Sequence, residues 1–205
     1  MKNAITFQSE THSHLLYTAR KKKNQYELIS VQTGVVLIRL GKWEYQVLPG
    51  ELFWLPFDAL TSMTVVPNST VSTVAFSIRT REYLPTQGGY ISPTSLLISG
   101  LDKLQQKEMS EASQQRLLHV LQDELLEATI HTDLSTQSQD INTYLSLLMN
   151  EKDTKICRLD PELMMTLKVR EADKMRKSGK KSEAIARRYF SGDVNLLNQA
   201  CSLLL

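Results

Sequence analysis

Few side chains in this chain are of a type and spacing to do chemistry, and they fall into three groups. His12 and His14 stand one residue apart, a spacing at which two imidazoles could share a metal ion, and the nearest acid after them is Glu27, 13 residues beyond His14. Two histidines in a flexible leading segment are more often solvated than ligating. Lys21 and Lys23 lie between, and a protonated amine has three N–H donors and no lone pair for a metal. A second group is aromatic and basic: Trp43, Tyr45, Trp54, Phe76 and Arg39. Trp and Tyr offer stacking faces and an arginine can pair with a carboxylate. These side chains either line a pocket or fill a small barrel, and both readings stay open. The third group is cationic. Residues 166–190 hold 9 Lys/Arg against 3 Asp/Glu, including Lys180, Lys181, Arg187 and Arg188. Such a block is either a phosphate-facing surface or a solvated helix face.

Composition bounds what these groups can belong to. The chain has 205 residues, enough for one large domain or one domain with part of a second. Charged residues make up 22% and the apolar set 41%, ordinary for a globular protein. No apolar run approaches the roughly 20 residues that span a bilayer, and no secretory leader is expected. Cys157 and Cys201 lie far apart without a CxxC pairing, which suits two small apolar residues in a reducing cytoplasm. The net charge is only +2, but residues 95–150 are acidic, with 3 Lys/Arg against 8 Asp/Glu.

The elements that must position these residues change in character along the chain. Residues 25–31 and 35–40 are rich in β-branched and aromatic side chains, and Gly41-Lys42 predicts a tight hairpin turn. Trp43, Tyr45 and Val47 alternate with Glu44 and Gln46, the period of a half-buried strand, which puts Trp43 and Tyr45 on one face. Residues 51–55, 61–66 and 70–79 complete a run of short strands, with Pro49-Gly50, Pro56-Phe57-Asp58 and Pro67-Asn68 as turns. Strands at this spacing predict a sandwich or barrel, with residues 1–19 as a preceding arm.

After Gly88-Gly89 the periodicity becomes helical. Ser92-Pro93 is the expected start of a first helix carrying Leu97, Leu101 and Leu104. Ser110 opens a second, striped by Leu117, Leu118, Leu121 and Leu125. Residues 131–140 read as a loop, and Ile141, Leu145 and Leu148 line a third helix. Asp160-Pro161-Glu162 is a strong start signal, with an N-cap acid, proline at the first position and a carboxylate near the positive helix end. A last helix is expected from Val194 to Leu205.

The strand region is similar in spacing to the two cupin motifs. The first motif sets two histidines one residue apart, a glutamate three or four residues on, and a glycine after six more. Lys21, Lys23, Glu27 and Gly34 occupy those positions. The second motif is matched by Gly50 and Pro56, with Asp58 at its second glycine and Thr61 at its histidine. The resemblance implies a cupin barrel, and the substitutions imply one without its metal. Neither lysine can ligate, threonine is a poor ligand, and one carboxylate does not hold a catalytic ion. The expected barrel therefore uses no metal or other cofactor and is not an enzyme.

Glu27-Leu28-Ile29-Ser30-Val31-Gln32-Thr33-Gly34 and Tyr45-Gln46-Val47-Leu48-Pro49-Gly50-Glu51-Leu52-Phe53-Trp54-Leu55-Pro56 together resemble the sensor domain of AraC/XylS transcription regulators. The stretch from Leu96 to Met149 resembles that family's dimerisation and linker helices. The resemblance implies an α+β chain in three parts: a cupin-like sensor barrel with an N-terminal arm over 1–90, dimerisation helices over 91–155, and a partial helix-turn-helix module over 156–205. It implies a small effector held by Glu27, Arg39, Trp43, Tyr45, Trp54 and Phe76, a homodimer paired through Leu117, Leu121 and Leu125, and DNA phosphates met by Lys180, Lys181, Arg187 and Arg188. Leu197, Ala200 and Leu204 match the helix that precedes a reading helix, so the chain is expected to end before base readout is complete. Two other classes stay open: a partner that antagonises a full-length relative, and a metal-free cupin isomerase.

Overall fold

Alternation along the strands decides which side chain goes to which layer, and three apolar clusters follow from it. The computed structural model describes residues 4–80, 83–106, 109–150, 152 and 158–205. One antiparallel sheet orders β1 (Ile5–His12), β9 (Ser69–Phe76), β4 (Tyr26–Thr33), β7 (Leu52–Leu55), β10 (Gly89–Ile91) and β11 (Ile130–His131). A second orders β2 (Leu16–Tyr17), β8 (Leu60–Val65), β5 (Val36–Leu40) and β6 (Trp43–Val47), with β3 (Lys21–Lys22) also on β8. Between the sheets lie Ile29, Val31, Val36, Ile38, Tyr45, Val47, Phe53, Leu55, Val65 and Val71. The neighbours of these residues in sequence point outward by the strand period of two.

Each outward face is covered by helices. Leu28, Leu52, Trp54, Val74 and Phe76 pack against α1 (Ser95–Gln105) and α2 (Glu111–Leu126). The outer face of the second sheet, through Leu37, joins α3 (Thr136–Met149), α4 (Pro161–Lys177), α5 (Ser182–Tyr189) and α6 (Val194–Leu204) in another cluster. The fold is thus a cupin-like pair of antiparallel sheets followed by helices.

Capping confirms several helix starts. Ser110 caps α2, and Asp160 caps α4 with Pro161 at its start. The first helix begins two residues later than Ser92-Pro93 predicts, because the Thr94 hydroxyl accepts from the Leu97 amide. Residues 5–12 are not an arm. They pair with β9 along their whole length, from Ile5 opposite Phe76 to His12 opposite Ser69. The expected loop over 131–140 is shorter than read, since β11 reaches His131 and α3 starts at Thr136, capped by Ser135.

The motif turns adopt the conformations their residue types require. The two-residue hairpin at Gly41-Lys42 brings Leu40 opposite Trp43. Asp58, standing where the motif has glycine, takes φ 63°, a left-handed conformation that Asp tolerates better than most side chains.

The free edge of β6 shows how α3 is held. The Glu44 amide donates to Asn142 Oδ1 at 2.9 Å, and Asn142 Nδ2 donates to the Glu44 carbonyl at 2.7 Å. The Gln46 amide donates to Ser138 Oγ at 2.9 Å, and the Tyr90 hydroxyl donates to the Gln46 carbonyl at 2.5 Å. Side chains thus supply the ladder partners a missing strand would have given. Asn142→Ala leaves both Glu44 backbone groups without partners. The expected loss is about 1–3 kcal/mol, read as a lower urea midpoint at unchanged slope.

Candidate functional site

The barrel mouth is polar, and its side chains come from strands that enter it with the same phase. Thr6, Gln8, Glu10 and His12 on β1, Thr73 and Ala75 on β9, and Lys23, Gln25 and Glu27 around the start of β4 line a cavity of about 270 Å³. Lys23 Nζ donates to Glu27 Oε2 at 2.5 Å, and Gln25 Nε2 donates to Glu27 Oε1 at 3.1 Å. Gln8 donates to Glu10, and His12 Nε2 lies 3.7 Å from Glu10 Oε2. The mouth therefore presents paired charges and amides that can orient a hydrogen-bonding ligand.

These residues do not fit a cupin metal. Lys23 sits on the carboxylate that would ligate, and Lys21 lies opposite Thr61 in the β3–β8 register. Among the described residues no three His, Cys, Asp or Glu side chains converge as a metal-binding group.

Of the side chains expected to hold an effector, the structure brings only Glu27 to this cavity. Tyr45 is buried between the sheets, tilted against Phe53 at 5.2 Å, with its hydroxyl donating to the Thr132 carbonyl at 3.3 Å. Burial raises its pKa, and Asp133 adds to the effect. Trp54 and Phe76 are corrected to the outer face of their sheet. They lie 5.8 Å apart beneath α1 and α2, and the Trp54 indole donates to the Pro85 carbonyl at 2.8 Å. Trp43 stands at the hairpin tip, 41% exposed, and Arg39 points outward with Glu44. Both border a separate cleft against α3 and α4. Sequence reasoning did not point to Gln8, Glu10 and Gln25, and brought up His12 and Lys23 only at metal-ligand positions and not as lining of a ligand cavity. The signal was the polar phase of residues 6, 8, 10 and 12 against Ile5 and Phe7.

The expected pairing stripe on α2 is also corrected. Leu121 and Leu125 are fully buried under the protein's own barrel, and Leu117 is half-buried beside them. Gly100 of α1 permits this approach, since a Cβ there would stand 2.6 Å from Leu121 Cδ2. The exposed large apolar residues of α2 are Val120 and Leu126.

Polar contacts tie the C-terminal helices to the barrel. Arg170 on α4 is buried and donates from Nη1 to Glu44 Oε2 and Thr64 Oγ1, both at 2.9 Å, and from Nε to Glu171 at 2.9 Å. Nearby, the Tyr17 hydroxyl donates to Asp173 Oδ2 at 2.5 Å, and Lys177 reaches the same carboxylate at 2.7 Å. The Leu15 amide donates to the Leu204 carbonyl at 2.7 Å.

Burial works to raise the carboxyl pKa values of Glu171 and Asp173, but the surrounding cations and hydrogen bonds win and both are lowered. For Glu171 these are Arg170 and Lys174; for Asp173 they are Lys177, Tyr17 and Arg176. The unfolded chain thus binds more protons in acid than the folded one. The stabilisation is present above the ordinary values, 4.5 and 3.8, and is lost as pH falls through the lower folded values. Thermal melts from neutral pH downward should show the midpoint falling below these values. Glu171→Gln combined with Asp173→Asn should flatten that dependence.

The basic segment folds as two helices and a turn. Sequence reasoning did not separate α5, whose buried Ile185, Ala186 and Tyr189 face the core while Arg187 stays exposed. Phe190–Asp193 joins α5 to α6 in four residues, with Ser191 at φ 53° and Gly192 at φ 88°. Leu197 and Ala200 face inward, with Leu204 half-buried, while Asn195, Asn198, Gln199 and Ser202 are exposed. Lys180 and Lys181 are exposed, but Arg188 is partly drawn in, donating to the Met149 carbonyl at 2.6 Å. Cys201 is buried, which raises its thiol pKa, and Cys157 lies outside the described residues. No helix among the described residues is long and apolar enough to cross a membrane.

Among solved structures, an apo ToxT variant from Vibrio cholerae is 10% identical, spanning 98% of this chain and 93% of its own, with a TM-score of 0.46. Wild-type ToxT from the same organism, bound to an unsaturated fatty acid, is 12% identical over 100% of this chain and 94% of its own, with a TM-score of 0.40. A cupin superfamily protein from Desulfitobacterium hafniense is 6% identical over 38% of this chain and 71% of its own, with a TM-score of 0.35. Comparison with curated proteins gave no match. The model of the AraC-like ligand binding domain matches residues 5–139, the segment that builds both sheets, α1, α2 and the start of α3. With that match spanning most of its length, this chain belongs to the AraC-like ligand-binding domain family.

Proposed function

We propose that this protein is an effector-responsive transcription regulator whose barrel mouth takes a small polar ligand and whose α4–α6 unit meets DNA. The supporting observation is the family match over residues 5–139 together with a polar cavity inside that segment. Glu27, clasped by Lys23 and Gln25, would accept from a ligand hydroxyl or amine, with His12, Gln8 and Thr73 completing the polar wall. The domain division is proposed as a barrel that also takes β10 and β11, helices α1–α3 around it, and a C-terminal unit from Asp160 onward.

A four-residue turn containing glycine between two helices has the form of a helix-turn-helix. In this reading α5 is its first helix and α6 its second. The reading helix then lies inside the chain, where sequence spacing alone had placed α6 one step earlier. Exposed Asn195, Asn198 and Gln199 are side chains that can read adenine edges in a major groove. Lys180, Lys181 and Arg187 would meet phosphates. Arg188, held by Met149, contributes less. A homodimer would bring two such units to paired half-sites. It would use the outward face of α2 at Val120 and Leu126 rather than Leu121 and Leu125, and a monomer by sedimentation at tens of micromolar would argue against it.

Selection of bound duplexes from random DNA, followed by fluorescence anisotropy across a salt series, tests the reading. Replacing Lys180, Lys181 and Arg187 by Gln should reduce the salt slope by about one for each lost phosphate contact. Affinity should fall alike for every sequence. Asn198→Ala should instead relax base preference. An absence of any salt-dependent binding would remove the DNA reading and leave the family's ligand-binding role alone.

A further inference from the structure

We infer that the cleft between the β5–β6 hairpin and helices α3 and α4 is a second ligand site, for a small organic anion, and that its occupant favours docking of α4 on the barrel. The cleft measures about 400 Å³ and is bordered by Arg39, Trp43, Asn142, Leu145, Met149 and Arg170. It lies on the outer face of the second sheet, away from the barrel mouth.

Arg39 carries the argument. It is the cross-strand partner of Glu44, so the two side chains share one face at the distance where opposite charges pair. Glu44 is instead engaged by Arg170, which crosses from α4. Arg39 is left with no hydrogen bond or ion pair among the described residues, and its Nε is shut off from solvent without a partner. A sealed, unpartnered donor on a charged group is costly to keep. Glu171, the other acid of the cleft, is taken by Arg170 and Lys174. Lys42 adds a further positive charge at the rim, 4.8 Å over the Trp43 ring. The cleft is therefore a cationic recess whose acids are already spent.

The lining sets the ligand class. A planar guanidinium matches a carboxylate or phosphate through two parallel hydrogen bonds. Leu145, Met149 and Trp43 offer apolar contact for the rest of the molecule. The fit is to a carboxylate or phosphate monoester on a compact apolar body.

Occupancy is coupled to α4 through Glu44. Arg39 makes no bond to Glu44 but is its cross-strand partner, so a turn of its side chain onto that carboxylate would compete with Arg170. A bound anion satisfies Arg39 and removes the competitor, so the ion pair that docks α4 strengthens. By linkage, docking of α4 raises affinity for the anion by the same factor.

The test uses the full chain with benzoate and phenyl phosphate as probes, benzyl alcohol as the uncharged counterpart and inorganic phosphate as the bare anion. Trp43 is exposed while Trp54 is fully buried, so quenching of intrinsic fluorescence reports this cleft. Saturable quenching by either organic anion is expected, with little response to benzyl alcohol or inorganic phosphate. Arg39→Gln should weaken binding about tenfold or more. Met149→Glu places a carboxylate at the border of the same cleft from an exposed position and should abolish binding in a chain that still folds. Hydrogen exchange at α4 should slow with ligand in the parent chain and not in Arg39→Gln. These readouts do not depend on DNA, so failure of the regulator reading leaves them intact. No saturation by either organic anion overturns the proposal. So does binding that survives Arg39→Gln but is lost in Glu27→Gln, or equal quenching by inorganic phosphate, an adventitious ion only.

Discussion

Arg170→Ala should destabilise the protein by about 3–5 kcal/mol, the range for removing one member of a buried ion pair. Arg170 and Glu44 are 3% and 5% exposed, so solvent cannot replace the lost partner. The truncation leaves the Glu44 carboxylate buried and uncompensated, takes a donor from Thr64 Oγ1, and frees Glu171 from one of its two cations. Replacing the pair with apolar residues, Glu44→Leu with Arg170→Met, should recover most of the loss, because desolvating both charges offsets much of what their attraction supplies. Urea unfolding followed by helical circular dichroism reads both variants. Equal, small losses in the single and double variants would show that the pair does not hold α4 to the barrel. The double variant should also lose the acid sensitivity that the Arg170–Glu171 contact brings.

Gly34→Ala is expected to cost about 2–5 kcal/mol, from two sources that a second variant separates. Gly34 has φ 78°, a left-handed conformation that costs a side-chain-bearing residue about 1–2 kcal/mol. A Cβ there would also stand 2.7 Å from the Ser69 Cα and 2.1 Å from its Oγ. Ser69 has little room to retreat. It is fully buried, and its hydroxyl accepts from the Val35 amide at 2.9 Å and donates to the Val35 carbonyl at 3.2 Å. Overpacking at such a contact adds about 1–3 kcal/mol. Gly50 shares the conformation, at φ 86°, but has nothing within 4 Å of its Cβ position. Gly50→Ala should therefore show the backbone cost alone. A Gly34 loss no larger than the Gly50 loss would mean that the turn shifts to admit the methyl group.

The motif positions were legible because they are local. Gly34, Gly50 and Asp58 mark turns whose backbone angles are fixed by residues within a few positions. Ser110 and Asp160 cap helices for the same reason, through side chains that bond three residues ahead. The loss of the metal ligands was equally local, since Lys21, Lys23 and Thr61 lack the lone pairs or softness required wherever they end up. α5 escaped notice because its eight residues make barely two turns directly after the basic Lys180-Lys181, too short for a clear apolar stripe.

The sequence by itself determined the class of the protein: short strands then helices, a cupin pattern stripped of imidazoles, and the family to which that pattern belongs. Only the tertiary structure decided which aromatic faces which layer. A strand has two faces of equal period, and nothing along its length says which will meet the opposite sheet and which will meet a helix. Trp54 and Phe76 went under α1 and α2, and Tyr45 went between the sheets. Arg39 lost Glu44 to Arg170, a residue 126 positions beyond Glu44. That choice depends on where α4 docks, which is settled by apolar burial across the whole chain and not by any spacing within it.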